Sequence, residues 1–381
     1  MKKQDISLWT CIFLCIVLVL SLSSCSPSPA VKSLAEIEID YGEANHIDFN
    51  QINPPKYLSI KEFPLKIDSD YEVGGIAEAN SDIFYLCAKP SQLEYFDDCK
   101  LIRVDENSGA EVDEYSFDTS DNLYVNELVG TKEDLFWVET HKGRYWQIKR
   151  YNLKSKQTQT IRASDDMQQD ILLNGSANWV SWLEYSPTGY GLLYVYDIQN
   201  DETILLCSEI ESYIPYIRVT VLDSIISYVT KDGENYIINI YNLKTSSFLA
   251  KITVGTEYPG NVHANKDFAI WCSEPFWGDI DIFAYDLKNH ETLKVLSSED
   301  SASVFSYTLL NDFLLINSRS EDNIIYFNMR DKEKSNITKN LKESHMYYFA
   351  HANEDNSFIA CEDYSVKGNA MTVIVHINSS L

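Results

Sequence analysis

The chain has 381 residues, a formal net charge of −26 at pH 7, and 13% aromatic residues, including 25 Tyr. Because nucleic acid and anionic bilayers repel a field of that sign, the charge argues against both and favours cationic partners, metal ions or simple solubility. The length admits one large all-β domain or two ordinary domains, and the excess of Tyr favours strands over helices.

The N-terminus has the features of a membrane-targeting signal. Two lysines precede an apolar run over residues 8–22, which is too short for an ordinary spanning helix and has the length of a signal-peptide core. The run ends in the sequence LSSC, whose last residue is Cys25. This order resembles the bacterial lipoprotein signal, in which the cysteine is lipidated and becomes the new N-terminus. The alternative is a cleaved secretory signal with a chance cysteine.

The resemblance implies an extracytoplasmic protein of the bacterial cell envelope, held at a membrane by its lipid alone, with palmitate among the acyl groups. On this interpretation residues 1–24 are the signal peptide. Residues 25–55 comprise the lipidated Cys25 and an acidic tether that includes the stretch SPSPA. The folded part of the chain is then expected over residues 56–381.

A phrase of the form Y-D/N-L-K recurs along the rest of the chain, as in KRYNLKS at 149–155 and FAYDLKN at 283–289. Asp and Asn bond their own backbone in tight turns, so the Asp or Asn of each phrase is predicted to cap a turn. Six copies of the phrase have this polar residue, at steps of 47, 45, 45, 44 and 42 residues: Asp105, Asn152, Asp197, Asn242, Asp286 and Asn328. A weaker seventh copy, VIVHINSS, places His376 another 48 residues beyond the sixth.

A second series of short apolar segments runs in register with the first, and most of them carry Trp or Tyr at the equivalent position. Each repeat unit is therefore interpreted as four strands, a to d, with the apolar segment as strand b. Four short strands every 42 to 48 residues are typical of one blade of a β-propeller, and the aromatic residues of strand b would fill the contacts between blades. The seven b segments are IFYLC, LFWVE, WVSWLE, IISYVT, FAIWCS, FLLINS and FIACED.

The number of units predicts how the ring closes. Seven b strands and seven c strands can be counted, and the sequence ends after the seventh c strand. A strand-like segment, Tyr57–Ile67, precedes the first unit. We therefore predict an all-β fold with seven four-stranded blades, in which this N-terminal strand joins the last blade and leaves no open edge. Six blades are the alternative, if the first or last unit is degenerate.

The phrase WGDIDIFAYDLK at 277–288 and its relatives in four other units resemble the TolB-like and WD40-like bacterial β-propellers, over nearly the whole mature chain. The W-S-P-D-G signature of the TolB-like group is missing, so a Tol-type role does not carry over. The resemblance therefore implies a fold and no activity.

Aromatic residues stand beside carboxylates in the predicted b–c loops, which share one face of a propeller with the loops between blades. These loops include Phe96, Asp97, Asp98 and Glu184. A ring supplies apolar area and a carboxylate supplies acceptors, so this combination suits sugars or cationic peptides. No D-x-D-x-D-G loop and no HExxH or paired-His set occurs, so no cofactor is predicted and no metal-site residues are assigned, with Ca²⁺ on the dense carboxylates left open. The candidate ligand-binding residues are Glu274, Phe276, Trp277, Asp279, Tyr95, Tyr185, Tyr190 and Tyr364.

A disulfide is a further candidate. The hairpin of the LFWVE unit would pair Glu139 with Trp146, and the same geometry in the preceding unit would place Cys87 opposite Cys99. The extracytoplasmic address would permit a disulfide there.

No nucleophile motif, phosphate-cradling Gly loop or sialidase-type box is present, so binding is favoured over catalysis. The leading hypothesis is a monomeric, lipid-anchored, extracytoplasmic β-propeller that binds a protein, peptide or glycan, and no nucleic acid, at its acidic aromatic face. The alternative is a carbohydrate-active enzyme that uses carboxylates at the propeller mouth. A purely structural envelope component is a third hypothesis, and the sequence does not identify the ligand.

Overall fold

The described part of the chain is built almost entirely of strands, and one short 3-10 helix spans Thr119–Asp121. Within these residues no helix has the length and apolar character needed to cross a membrane. The all-β prediction is therefore confirmed. The computed structural model of the protein describes residues 36–39, 41, 44–52, 58–66, 70–91, 96–105, 108–141, 145–165, 171–185, 190–211, 219–273, 280–297, 304–318, 323–336 and 369–377.

Four N-terminal strands precede six antiparallel sheets, I to VI, each of which contains four consecutive strands in chain order. The N-terminal strands are β1 (Glu36–Glu38), β2 (Asn45–His46), β3 (Asn50–Gln51) and β4 (Leu58–Lys66). Sheet I contains β5 (Glu72–Ala79), β6 (Asp82–Pro90), β7 (Phe96–Asp105) and β8 (Glu111–Ser116). Sheet II contains β9 (Leu123–Gly130), β10 (Asp134–His141), β11 (Tyr145–Asn152) and β12 (Gln157–Ser164). Sheet III contains β13 (Asn174–Ser176), β14 (Trp179–Tyr185), β15 (Tyr190–Asp197) and β16 (Glu202–Glu211).

The remaining sheets continue the same order. Sheet IV contains β17 (Thr220–Leu222), β18 (Ile225–Asp232), β19 (Asn235–Asn242) and β20 (Ser247–Gly255). Sheet V contains β21 (Gly260–Ala264), β22 (Phe268–Cys272), β23 (Ile282–Asp286) and β24 (Glu291–Leu296). Sheet VI contains β25 (Val304–Leu310), β26 (Phe313–Ser318), β27 (Asn323–Asn328) and β28 (Glu333–Asn336). The last strand, β29 (Asn369–Ile377), belongs to a separate two-stranded sheet.

Burial follows the position of a strand within its sheet. The second strand is covered on both faces, and β22 is buried at every residue, which explains the continuous apolar segments in the sequence. The fourth strand forms the rim, and β12 is largely exposed and polar. The first strands contact one another in series, β5 with β9, β9 with β13, β13 with β17, β17 with β21, and β21 with β25. The sheets therefore stand side by side with their first strands innermost.

Neighbouring sheets pack face to face. Phe84 and Leu101 of sheet I share one apolar cluster with Trp137 and Tyr151 of sheet II, and similar clusters join the later sheets in sequence. The side chains of Tyr85, Trp137, Trp182 and Trp271 are almost completely buried. The prediction that the aromatic residues of the second strands fill the contacts between sheets is thus confirmed for the three Trp residues, whereas the cluster of Tyr85 contains described residues of the sheet I region alone.

The N-terminal strand β4 pairs with β29, antiparallel, in nine residue pairs from Leu58↔Ile377 to Lys66↔Asn369. This is the partner that the sequence predicted for the segment Tyr57–Ile67. The predicted strand FIACED at 358–363, which would extend this sheet, lies outside the described residues. In the described ranges the chain forms six sheets of at least four strands and this one pair.

The structure differs from the sequence prediction inside the proposed tether, residues 25–55. Strands β1, β2 and β3 lie parallel to β20, β24 and β28 and add a fifth strand to the outer edges of sheets IV, V and VI in turn. Backbone bonds extend the contacts, including Ile47 N to Lys294 O at 3.0 Å and Ile52 N to Lys334 O at 2.9 Å. We call residues 36–52 the strap. The tether prediction rests on the stretch SPSPA at 26–30, which lies outside the described residues, and the outermost position of the strap on the rim requires only a few apolar anchors.

Candidate ligand-binding face

One end of the sheets collects the chain segments that the sequence analysis singled out. In sheets I to III this end holds the hairpins between the second and third strands, together with the segments that lead from a fourth strand to the next first strand. We call it the loop face. Most of the described residues at the loop face belong to sheets I and II.

Two of the predicted ligand-binding residues are described. Tyr185 ends β14 and is half-buried, while Tyr190 begins β15 and is 50% exposed, so the hairpin of sheet III presents one aromatic ring to solvent. The other six lie outside the described residues: Glu274, Phe276, Trp277, Asp279, Tyr95 and Tyr364.

An aromatic pair lies where sheets I and II meet. Phe96 begins β7 and stacks on Tyr124 near the start of β9, with ring centroids 5.0 Å apart and an interplanar angle of 28°. Tyr124 is 42% exposed. Exposed carboxylates of Asp97 and Asp98 follow Phe96 directly, and Thr119 Oγ1 donates to the backbone oxygen of Asp97 at 3.2 Å. This end of sheets I and II therefore offers an apolar surface together with carboxylate acceptors.

The segment between β8 and β9 adds a further carboxylate. Asp118 caps the 3-10 helix, and its Oδ1 accepts from the backbone nitrogen of Ser120 at 3.0 Å. The hydrogen bonds from Ser120 lower the pKa of Asp118, so its exposed carboxylate stays charged at neutral pH.

Ion pairs fix the neighbouring strand ends of sheet I. Lys89 Nζ lies 2.9 Å from Asp70 Oδ2, and the hydroxyl of Tyr71 donates to the carboxylate of Asp98. The ammonium group of Lys100 stands 5.2 Å from the centroid of the Tyr71 ring. Carboxylates outnumber ammonium groups at this end, so the loop face of sheet I carries negative charge beside exposed rings.

A polar cluster at the end of the sheet II hairpin continues the face. Glu139 accepts from Trp137 Nε1 at 2.9 Å and from Gln147 Nε2 at 3.1 Å, and it is almost buried. His141 stacks on Tyr145 with centroids 4.6 Å apart. Its Nδ1 lies 3.7 Å from Asp121 Oδ2, and its Nε2 lies 4.0 Å from Glu139 Oε2. The imidazole thus stands between two carboxylates at the boundary of protein and solvent.

Glu184, which the sequence grouped with the loop carboxylates, has a structural role. Arg162 of sheet II holds it with two bonds of 2.7 Å, Nε to Oε1 and Nη2 to Oε2, and Trp182 Nε1 donates to Oε1 at 2.9 Å. The Arg162 guanidinium also stands 4.7 Å from the ring centroid of Tyr194. A carboxylate with both oxygens paired across two sheets is not available to a ligand.

The disulfide prediction is wrong, because both thiols are free. Cys87 pairs with Lys100, whereas Cys99 pairs with Ala88, so the two side chains point to opposite faces of sheet I. They accordingly belong to different apolar clusters. The hairpin used to predict the pairing was itself one residue out of register, since Glu139 pairs with Gln147. A slip of one residue moves a side chain to the other face.

In the described ranges no three His, Cys, Asp or Glu side chains converge in a way that could hold a metal ion. Phe96, Asp97 and Asp98 are among the loop residues predicted from the sequence. Tyr71, Asp118, Asp121 and Tyr124 are not among the predicted residues. These residues enter from other segments, and only the spatial neighbourhood of sheets I and II brings them to the hairpin ends.

No protein-family model and no curated protein matches this sequence. Solved structures with a similar fold include the β-propeller domain of the trilobed protease from Pyrococcus furiosus, which has an open velcro topology (TM-score 0.58, 9% identity, 80% of this chain and 93% of that chain). Others are YCF48 bound to D1 peptide (TM-score 0.53, 9% identity, 86% and 98% of the two chains) and oligogalacturonate lyase in complex with manganese (0.52, 9%, 88% and 97%). Acylaminoacyl and prolyl peptidases are also similar, and there the chain covers only about half of each enzyme. At such identities the likeness shows the fold alone, which is a β-propeller.

Proposed function

We propose that this protein is a lipid-anchored, extracytoplasmic β-propeller that binds a cationic segment of a protein or peptide at its loop face. The observation that carries the proposal is the stacked pair Phe96–Tyr124 with the exposed carboxylates of Asp97 and Asp118 at the same end of the sheets. Rings take up the aliphatic stems of Lys or Arg, and carboxylates accept from their charged ends. YCF48, a similar fold, is bound to a peptide, which supports this class of ligand.

The binding test uses a fluorescent decalysine peptide as the probe and the double variant Asp97→Asn/Asp98→Asn. We expect the dissociation constant to rise at least about tenfold, because two carboxylates at the loop face are neutralised. Tyr124→Ala should weaken binding while leaving the charge unchanged.

The matched control removes the same charge at the opposite end of the sheets. Glu133 and Asp223 are exposed and lie in turns between first and second strands, so Glu133→Gln/Asp223→Asn should change the affinity little. Equal losses in the two double variants would mean that the peptide responds only to net charge, and the proposed site would be wrong.

The predicted residues Glu274, Phe276, Trp277 and Asp279 remain part of the proposal as a second patch on the same face. Their sequence, EPFWGD, combines two rings with two carboxylates as the described patch does. Phe276→Ala/Trp277→Ala should weaken decalysine binding separately from Tyr124→Ala. Unchanged affinity would remove this second patch from the proposal.

The lipid anchor rests on the N-terminal signal and is proposed on that ground. A Cys25→Ser variant, expressed in bacteria, should lose incorporation of radiolabelled palmitate and should move from the membrane fraction to the soluble extracytoplasmic fraction. Retention of the label by this variant would contradict the assignment.

A seven-bladed ring is part of the proposal. The antiparallel pairing of β4 with β29 supports it, because the first and last strands of the folded region meet in one sheet. Lys61 and Ile374 lie directly opposite each other in that pairing. In a background without other cysteines, Lys61→Cys/Ile374→Cys should form a disulfide and raise the unfolding temperature, whereas Lys61→Cys alone should not.

A carbohydrate-active enzyme is the second candidate. His141 between Asp121 and Glu139 supports it, as does the similar fold of oligogalacturonate lyase. The negative charge of the loop face disfavours anionic sugar polymers, so the substrate would be a neutral glycan. Cleavage of neutral cell-wall polysaccharide that is lost in His141→Gln would favour this candidate over a binding protein.

A further inference from the structure

The fourth strands at the rim can pair with an added strand, and they do so in sheets IV, V and VI. In sheet IV, β1 lies parallel to β20 with Glu36, Ile37 and Glu38 opposite Lys251, Ile252 and Thr253. Sheets V and VI receive β2 and β3 in the same parallel sense. A fourth strand of this fold therefore retains a free ladder edge, and an extended segment that runs beside it completes that edge.

Sheet III offers the same edge without a covering strand in the described part of the chain. Its fourth strand, β16, is ten residues long and has β15 as its single described neighbour. Two consecutive apolar residues of this strand are exposed, Ile204 at 38% and Leu205 at 49%, and they point to opposite faces of the sheet. A long edge strand with exposed apolar residues is a pairing site that proteins ordinarily cover or charge.

Two other rim strands, β8 and β12, also have no covering strand in the described residues, but they differ from β16. Strand β12 has the sequence QTQTIRAS and shows no large exposed apolar side chain among its described residues. Strand β8 has six residues, and Val112 is its one exposed large apolar residue. Pairing at the rim is therefore favoured at β16.

The charges of β16 decide what can pair with it. The strand carries Glu202, Glu209 and Glu211 and no Lys or Arg. The strap is acidic and meets Lys251 on β20, so a strap from a second copy would bring Glu against Glu on β16. An antiparallel pair of two β16 strands would do the same. Charge complementarity thus favours a basic segment from a different protein.

We propose that β16 binds an extended segment of a partner protein, with alternating apolar and Lys or Arg residues, as a fifth strand of sheet III. The backbone ladder supplies the pairing, Leu205 contacts the apolar residues of the segment on one face of sheet III, and Glu202 on the opposite face accepts from its cations. This site lies on the rim and is independent of the proposed loop-face site.

The test uses the synthetic peptide acetyl-(Lys-Val)4-amide and the full mature protein. Amide hydrogen exchange should slow in residues 202–211 at saturating peptide, and the acidic peptide acetyl-(Glu-Val)4-amide should give no protection there. Leu205→Lys should abolish the protection and raise the dissociation constant at least about tenfold, since it places a like charge against the peptide. Val112→Lys on β8 is the matched control and should leave both measurements unchanged.

The Asp97→Asn/Asp98→Asn variant distinguishes binding at β16 from binding at the loop face. In this variant the peptide should still protect the amides of residues 202–211. Absence of protection at millimolar peptide would overturn the proposal. Equal protection by the acidic peptide would also overturn it. So would protection without any peptide that disappears on dilution or on deletion of residues 26–35, because a second copy or the chain itself would then occupy the edge.

Discussion

At the scale of single residues, His263 shows how burial sets a pH response. It lies on the first strand of sheet V, its Nδ1 is buried without a hydrogen-bond partner, and its ring centroid is 5.3 Å from that of Tyr307. Burial lowers the pKa of His263 to about 4 from its ordinary value of 6.5.

We predict that His263→Phe makes the protein more resistant to acid. The pKa of the folded state lies below that of the unfolded chain, so the stability linked to His263 is present above pH 6.5 and is lost as the pH falls towards 4. In the wild type, His263 should lower the free energy of unfolding by up to about 3 kcal/mol as the pH falls from 6.5 towards 4. Phe keeps the contact with the Tyr307 ring and cannot take up a proton.

The measurement is urea denaturation at several pH values from 7.5 to 4. The curve of free energy against pH should be flatter for His263→Phe, whereas His46→Gln on the exposed strap should follow the wild type. Identical slopes for wild type and His263→Phe would show that another group controls the acid response.

Glu184 shows why residue roles were harder to predict than residue types. Its neighbours in sequence, Tyr185 and the hairpin that follows, indicated a loop carboxylate. Its actual partner, Arg162, stands 22 positions earlier on the rim of the preceding sheet. Such a contact depends on how two sheets are placed side by side, and no local pattern encodes it.

At the scale of elements, the recurring Asp or Asn has the predicted function. Asp286 Oδ1 accepts from the backbone nitrogens of Lys288 and Asn289 at 2.9 and 2.8 Å, and Asn328 Oδ1 binds Arg330 and Asp331 in the same way. The residue four positions later has a positive φ in every one of the six turns. These residues are Gly109 (67°), Lys156 (58°), Asp201 (52°), Ser246 (50°), His290 (56°) and Lys332 (53°).

We predict that Ser246→Gly stabilises the protein by about 0.5–1 kcal/mol, because a left-handed backbone strains any residue with a Cβ. The reverse change, Gly109→Ser, should destabilise by a similar amount, since no atom within 4 Å would obstruct the new Cβ and only the backbone strain remains. Both are measured by chemical denaturation. Effects of the same sign in the two variants would contradict this account of the turn.

At the scale of the whole molecule, the strap joins three sheets along the rim. Ile47 is 3% exposed and belongs to the apolar cluster between sheets V and VI, and Phe49 meets Phe327 edge-on at 4.8 Å. Tyr41 packs on Phe283 at 4.7 Å and accepts from Trp271 Nε1 at 3.3 Å. The strap is therefore anchored to the rim by apolar and aromatic contacts as well as by backbone bonds.

We predict that Ile47→Ala lowers the free energy of unfolding by about 2–4 kcal/mol, as expected for a large buried side chain replaced by a small one. Asp48→Ala, next to it and fully exposed, should change the value by less than about 0.5 kcal/mol. Both are read from chemical denaturation of the mature chain. If Ile47→Ala left the free energy of unfolding unchanged, residues 36–52 would behave as a free tether.

The repeat, the all-β fold, the buried second strands and the turn chemistry can be predicted from the sequence, because each depends on residues close together in one unit. The strap, the register of Cys87 and Cys99, and the pairing of Glu184 with Arg162 depend on how the sheets pack. Strand pairing has a period of two, so a shift of one residue reverses every face, and contacts between sheets join residues that are far apart in the chain. These choices are made only when the sheets pack together.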